Sequence, residues 1–323
     1  MNTTELLTVV RRNCYLEDTA SDYSDAVLLS ELYDALTTKF ERAVLDAKAN
    51  YWIQPYVITL TSGMDNYRLP SRAVGISKVE ISNGNSPNSQ GWLRMARVNE
   101  DDANLVQSPV TSLGRPTWYV LRGDLITLYP TPDNSGYQLR IWYYLKPSRL
   151  VPPQASAGVG RIFAIVGTTI TYETSGNVVS YARDGTTTNI GVGSAVDIVA
   201  PGMWREAKVV GATLTSSSTS GCGFSSAVDV SDVQVGDLVR PADQLEFPQI
   251  PEDFHRTLCN IASVIILNQR DFQQKAAGYA QDASQDMSRF AMIVQTRVQE
   301  DPPVLRADSP SLRLSGYWGG YRF

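Results

Sequence analysis

The chain has 323 residues, 43% of them hydrophobic, enough to bury a sizeable core in one large domain or two smaller ones. Its formal charge is −5, from 28 basic against 33 acidic residues, which excludes the basic balance of a protein that grips nucleic-acid phosphates. DNA nearby is not excluded by this, because a surface that DNA slides past should be neutral or acidic.

Cys14, Cys222 and Cys259 form no CxxC pair, so neither a disulfide framework nor a zinc knuckle is supported, and three reduced, mostly buried thiols are expected. The amino-terminal MNTTELLTVVRR has its arginines after too few apolar residues for a signal sequence. The densest apolar run, Ile261 to Leu267, is too short to span a bilayer. A soluble, cytoplasmic chain without membrane contact is expected.

In chain order, Thr4 to Cys14 reads as a short helix. A polar stretch follows, and then Leu29, Leu32, Leu36, Phe40, Ala43, Ala47 and Tyr51 recur in steps of three and four. That spacing predicts one long helix over 25–51 with Ser24 as its N-cap. After Pro55 the texture changes to strands: YVITL, YRLP and VGISKVEIS, then 116–122, 125–129 and 137–145. Gly123–Asp124 is a hairpin corner between two of them, and 83–91 is a turn-rich loop. The aromatics Trp118, Tyr119, Tyr129, Trp142, Tyr143 and Tyr144 suit half-buried sheet positions.

A proline-rich exit at 146–157 leads into a Gly/Ser/Thr/Val-rich stretch with no helical period. Glycine turns between short valine-rich strands recur there, as in small β-barrels, and MWREAKVVGATL reads as a strand pair. Helix returns after Pro251, with Phe254, Leu258, Ile261 and Ile265 on one face. A second helix carries Phe272, Ala276, Tyr279, Ala283, Met287, Phe290, Val294 and Val298, and Asp301-Pro-Pro stops it.

The predicted architecture is α+β: a bundle of long helices from both chain ends, an antiparallel β-sheet and an inserted small β-barrel-like domain. Residues 1–157 and 242–300 form the core, 158–241 the inserted β-domain, and 301–323 an extended C-terminal arm.

Catalytic residues are hard to find in the sequence. The single histidine, His255, lacks the partners of an H-E-x-x-H site and reads as a partly exposed residue of a helix's first turn. No G-x-S-x-G elbow and no phosphate loop occurs, and GVGSAV and GVGRIF lack the strand–turn–helix context of a dinucleotide site. Glu100, Asp101 and Asp102, like Glu252 and Asp253, suit helix first turns, where the helix dipole favours acid, better than a metal site or a glycosidase pair with Asp243 and Glu246. No enzyme, cofactor or metal is expected.

The order of elements, with the residues at its joints, resembles the head-to-tail adaptor (connector) proteins of tailed bacteriophages. The resemblance rests on the long helix ending in Tyr51–Trp52, the Tyr67-Arg-Leu-Pro70 strand end with VGISKVEIS, and Arg115-Pro-Thr-Trp-Tyr. The strands ITLYPTP and IWYYLKPSRL and the helix opened by Ile250-Pro-Glu-Asp-Phe-His-Arg complete it.

That resemblance implies a structural virion protein that forms a ring, usually dodecameric, below the portal protein. Such a ring extends a channel through which DNA passes without sequence-specific binding, and it docks a tail or nozzle protein. It also implies a docking arm, for which Tyr317, Trp318, Tyr321 and Phe323 supply aromatic area and Arg313 and Arg322 pair with acid at a groove rim. The alternative from another class is a virion adhesin or decoration protein that binds carbohydrate or capsid through its β-domain.

Overall fold

The computed structural model describes residues 1–16, 23–47, 50–82, 91–99, 113–152, 160–172, 191–202, 206–218, 221–226 and 228–296. The fold starts with a reciprocal cap. The Asn2 side chain accepts the Glu5 backbone N–H at 2.9 Å, and the Glu5 carboxylate accepts that of Asn2 at 3.0 Å, opening α1 (Thr3–Cys14). Tyr15, in the left-handed region at φ 53°, closes it.

The apolar period over 25–51 is real but is not one long helix. It forms α2 (Asp25–Ala35), a π-helical turn at Leu36–Glu41, and α3 (Arg42–Asp46). The Thr38 hydroxyl donates to the Asp34 carbonyl at 2.6 Å and that of Thr37 to Tyr33 at 3.1 Å, back-bonding that accompanies the widened turn. Ser24 occupies the N-cap position without a side-chain cap bond.

Strands then dominate: β1 (Ile53–Thr59), β2 (Asn66–Arg68), β3 (Ala73–Ser82), β4 (Trp92–Arg94), β5 (Ala96–Arg97), β6 (Leu113–Gly114), β7 (Trp118–Arg122), β8 (Leu125–Tyr129), β9 (Thr131–Pro132), β10 (Gln138–Leu145) and β11 (Arg149–Leu150). One four-stranded sheet has the order β1-β10-β3-β4 and another β2-β8-β7-β5. The β7–β8 hairpin pairs Arg122 with Leu125 across Gly123–Asp124, with Gly123 at φ 57°. Along β10, Leu139, Ile141, Tyr143 and Leu145 face the core, while their alternates face outward.

Strands β12 (Gly160–Val166), β13 (Thr169–Tyr172), β14 (Ala195–Val199), β15 (Ala207–Ser218), β16 (Gly221–Phe224) and β17 (Leu238–Pro241) close a barrel in the order β12-β13-β16-β15-β14-β17. It has its own core, including Ile162, Ile170, Val196, Ile198, Leu214 and Val239. Of MWREAKVVGATL, expected to be a strand pair, residues 203–205 lie outside the described ones. Its residues from Ala207 onward run on within β15, and Gly211 at φ 63° is a bulge where the register against β14 slips by one residue.

After β18 (Gln244–Leu245) and a short turn at Glu252–Phe254 come α4 (His255–Gln269) and α5 (Gln273–Thr296). Helix α4 packs against α1, α2 and α5, so Leu258, Cys259, Ala262, Ile266 and Leu267 are wholly buried. On α5, Ala276, Ala283, Phe290 and Val294 are buried, whereas Phe272 lies outside the helix and is 48% exposed.

The molecule is thus mixed α+β but mostly strand, with a six-stranded closed barrel. It is not a bundle of long helices from both chain ends. The stop at Asp46 shortens the first helical run, which the π-turn interrupts, and the helices gather around α4 as a small cluster.

Candidate docking surfaces

Arg313, Tyr317, Trp318, Tyr321, Arg322 and Phe323 lie outside the described residues, as do Glu100, Asp101 and Asp102. The other residues considered for chemistry are placed. His255 is not partly exposed but wholly buried: its Nε2 lies 3.1 Å from the Ile250 carbonyl and its Nδ1 3.0 Å from the Met1 amino nitrogen. Helix α1 lies over it, which local sequence does not reveal.

Glu246, beside the fully buried Arg240 at 3.9 Å, is pushed up by burial, while Asp243 sits at φ 63° between two arginines. All three cysteines are free and buried; burial pushes the Cys259 thiol up to about 12 and also raises Cys14. Among the described residues, no group of three His, Cys, Asp or Glu side chains could hold a metal ion, and no helix is long and apolar enough to cross a membrane.

Three surfaces remain. The first is the joint between sheet and barrel. The chain leaves the first sheet through β11 and returns through β18, and these two strands run parallel, side by side. Arg72, just before β3, reaches Asp197 of β14 at 2.7 Å, Ser148 Oγ at 2.9 Å and Asp243 at 3.4 Å. Asp197 also accepts the backbone N–H groups of Gly211 (2.8 Å) and Asp243 (3.0 Å), so the bulge in β15 aims a donor at this carboxylate. The Gln54 amide of β1 donates to the Ala207 carbonyl of β15 nearby.

The second is the outer face of the first sheet. Glu80 accepts from Arg140 Nε and Trp142 Nε1, both at 2.8 Å, and pairs with Lys78 at 3.0 Å. The Arg140 guanidinium stacks 4.1 Å from the Trp92 ring centre, and the Lys78 ammonium lies 4.9 Å from that of Trp142. Burial raises the Glu80 carboxyl, but the hydrogen bonds from Trp142, Lys78 and Arg140 outweigh it and hold the group below its ordinary value. At the edge of this sheet, β1 exposes Tyr56 and Val57. The sequence carried a signal for this face: Lys78/Glu80 and Arg140/Trp142 each alternate by two in adjacent strands.

The third is an open cleft of about 860 Å³ between the Arg68–Ile76 segment and the β7–β8 hairpin. Leu69, Val74, Ile76, Leu121 and Leu125 supply apolar lining, and Arg68, Arg97, Arg122 and Asp124 the charged lining. The Leu69 N–H donates to the Asp124 carbonyl at 2.9 Å and holds the hairpin turn in place.

The joint is internal, whereas the sheet face carries ion pairs and stacked aromatics and the cleft is open and lined by arginines. Residues 1–162 match the SU10 adaptor protein family, and the chain belongs to that family. It is a bacteriophage structural adaptor and a component of the virion, of a family that is not an enzyme class. No curated protein matches the chain. The family match spans α1 to α3 and both four-stranded sheets and ends within β12.

Proposed function

We propose that this chain is a ring-forming head-to-tail adaptor that binds below the portal protein, extends the DNA channel and docks the tail or nozzle component. The observation that carries this reading is the family match over residues 1–162. Physical support comes from the charge of −5: an acidic channel wall gains nothing from counterion release and lets DNA pass. In this reading the ring is dodecameric, residues 1–157 and 242–300 form its body, 158–241 is an inserted β-domain, and 301–323 is an arm toward the portal or a neighbouring subunit.

Electron microscopy of the purified chain mixed with portal tests this. A ring stacked on the portal is the expected image; a strict monomer by light scattering, both alone and with portal, refutes it. The domain boundary has its own test. With 158–241 deleted, the remainder should keep its helical circular dichroism, because the helices α1, α2, α4 and α5 pack on one another, although Val199, Ala207 and Leu238 of the barrel also pack on their core.

A further inference from the structure

Resting on the docking role proposed above, we infer that the cleft takes an extended acidic segment of a partner protein. The segment adds as a strand along the open edge of β3 and sets its carboxylates against Arg68 and Arg97. The first ground is the backbone. A strand that changes sheets opens the cleft: β4 pairs antiparallel with β3 at Glu80–Ser82, Met95 donates its N–H to the Val79 carbonyl at 2.9 Å, and β5 then pairs parallel with β7 at Trp118 and Tyr119. Beyond this crossing, among the described residues, β3 has only β10 beside it from Ala73 to Lys78, and β7 has only β8 beside it at Leu121–Arg122. Residues of both stretches line the cleft, and none of β10 does, so the side of β3 that faces the cleft is the one β4 has left. A strand edge without a partner is a template for an added strand.

The second ground is the side chains, which set the chemistry of the occupant. Arg68 pairs with Leu125 across β2 and β8, and Leu125 with Arg122 across β8 and β7, so the three stand in one row on one face. Arg122 has a partner within the chain. Arg68 and Arg97 are exposed, and among the described residues neither forms an ion pair. Against the single acid Asp124 the cleft is basic, in a chain of net charge −5. Val74 and Leu125 in the same lining are 40% and 36% exposed. An added strand turns alternate side chains to one face, so a segment mixing acidic and apolar residues meets both the arginines and the apolar lining. The chain's own residues 297–323 carry Arg297, Arg306, Arg313 and Arg322 against Glu300, Asp301 and Asp308, the wrong balance for this cleft. DNA phosphates would meet the arginines but leave the apolar lining and the β3 edge uncovered.

Selection from a random peptide library on the full chain tests this, followed by fluorescence anisotropy of the selected peptides. The enriched peptides should combine acidic and apolar residues, and their binding should weaken with NaCl. R68E/R97E should weaken it by about tenfold or more at low salt. Methylating alternate backbone nitrogens of the peptide should abolish binding in one of the two phases, as strand addition requires. Circular dichroism checks that each variant folds; should R68E/R97E not fold, R68Q/R97Q should still show a smaller weakening.

A library that yields no binder, or peptides that bind the arginine variants as well as wild type, overturn the cleft as a peptide site. Binding that survives methylation in both phases overturns strand addition. A single-stranded oligonucleotide that displaces the peptides and itself depends on Arg68 and Arg97 assigns the cleft to nucleic acid instead. Self-association in sedimentation velocity that R68E/R97E abolishes assigns it to a second copy, and overturns a partner protein as the occupant. These outcomes leave the ring reading standing, which fails separately if the wild-type chain is a strict monomer alone and with portal.

Discussion

The Arg72 guanidinium and the Asp197 carboxylate meet at 2.7 Å across the joint between the first sheet and the barrel, with side-chain exposures of 16% and 2%. Each is supported from its own side. Lys146 and Ser148 hold Arg72, and the backbone of Gly211 and Asp243 holds Asp197. The pair ties the barrel to the sheet.

Removing one partner of such a buried pair leaves the other charge uncompensated, at a cost of about 3 kcal/mol. Arg72→Met should lower stability by about that amount in urea titration. Arg149 also approaches Asp243, at 3.5 Å, but is 72% exposed, so Arg149→Met should cost no more than about 0.5 kcal/mol. Equal losses would mean that burial does not set the strength of this joint.

Glu80 makes stability depend on pH. Its carboxyl is held below the ordinary glutamate value in the fold, so the unfolded chain takes up a proton first as pH falls. The contribution is complete above the unfolded value and is lost as pH drops through the folded one. Glu80→Gln should cost about 2 kcal/mol at neutral pH, by weakening charge-assisted hydrogen bonds from Arg140 and Trp142. The gap to wild type should shrink on acidification. A gap that stays constant across the acid limb would mean that the charge on Glu80 contributes nothing.

Phe290 of α5 packs edge-on against Phe40 of the π-turn and Phe254 before α4, each at 5.0 Å between ring centres. It is wholly buried, so Phe290→Ala should cost about 3–5 kcal/mol. Phe272, 48% exposed, should tolerate alanine within about 0.5 kcal/mol. Thermal unfolding of the two variants separates these outcomes.

Sequence separation and local spacing explain what could be read in advance. Leu29, Leu32, Leu36 and Phe40 revealed a buried helical face because steps of three and four are a local signal. The π-turn within that run was invisible, since one extra residue per turn still leaves Leu36 and Phe40 four apart. The Gly123–Asp124 corner was legible from turn chemistry. The stretch read as a strand pair instead continues within β15 past a bulge at Gly211, because the residues on both sides of it pair with β14.

Arg72, Asp197 and Asp243 could not be linked by any pattern, being brought together by tertiary packing between segments far apart in the chain. The burial of His255 depends in the same way on α1, from the opposite part of the sequence.

The last prediction concerns Arg313, Tyr317, Trp318, Tyr321, Arg322 and Phe323, which the proposed function assigns to a docking arm. Gly316, Gly319 and Gly320 beside the aromatics raise the entropy that must be lost to order this segment. The aromatics offset that cost if they enter a partner's groove, where each buries a large area and acts as an anchor. Among the described residues, those that build both cores all lie before 297, so a chain truncated after Asp308 should fold with the wild-type circular dichroism spectrum. Its affinity for portal, or for its own copies in the ring, should fall by about tenfold or more, the loss expected on removing anchor residues. Substituting Arg313 and Arg322 with alanine in the full chain should give a smaller loss that disappears at high salt, as expected of pairs at a groove rim. A truncated chain that folds, binds portal and assembles as well as the full one would show that the arm has no docking role.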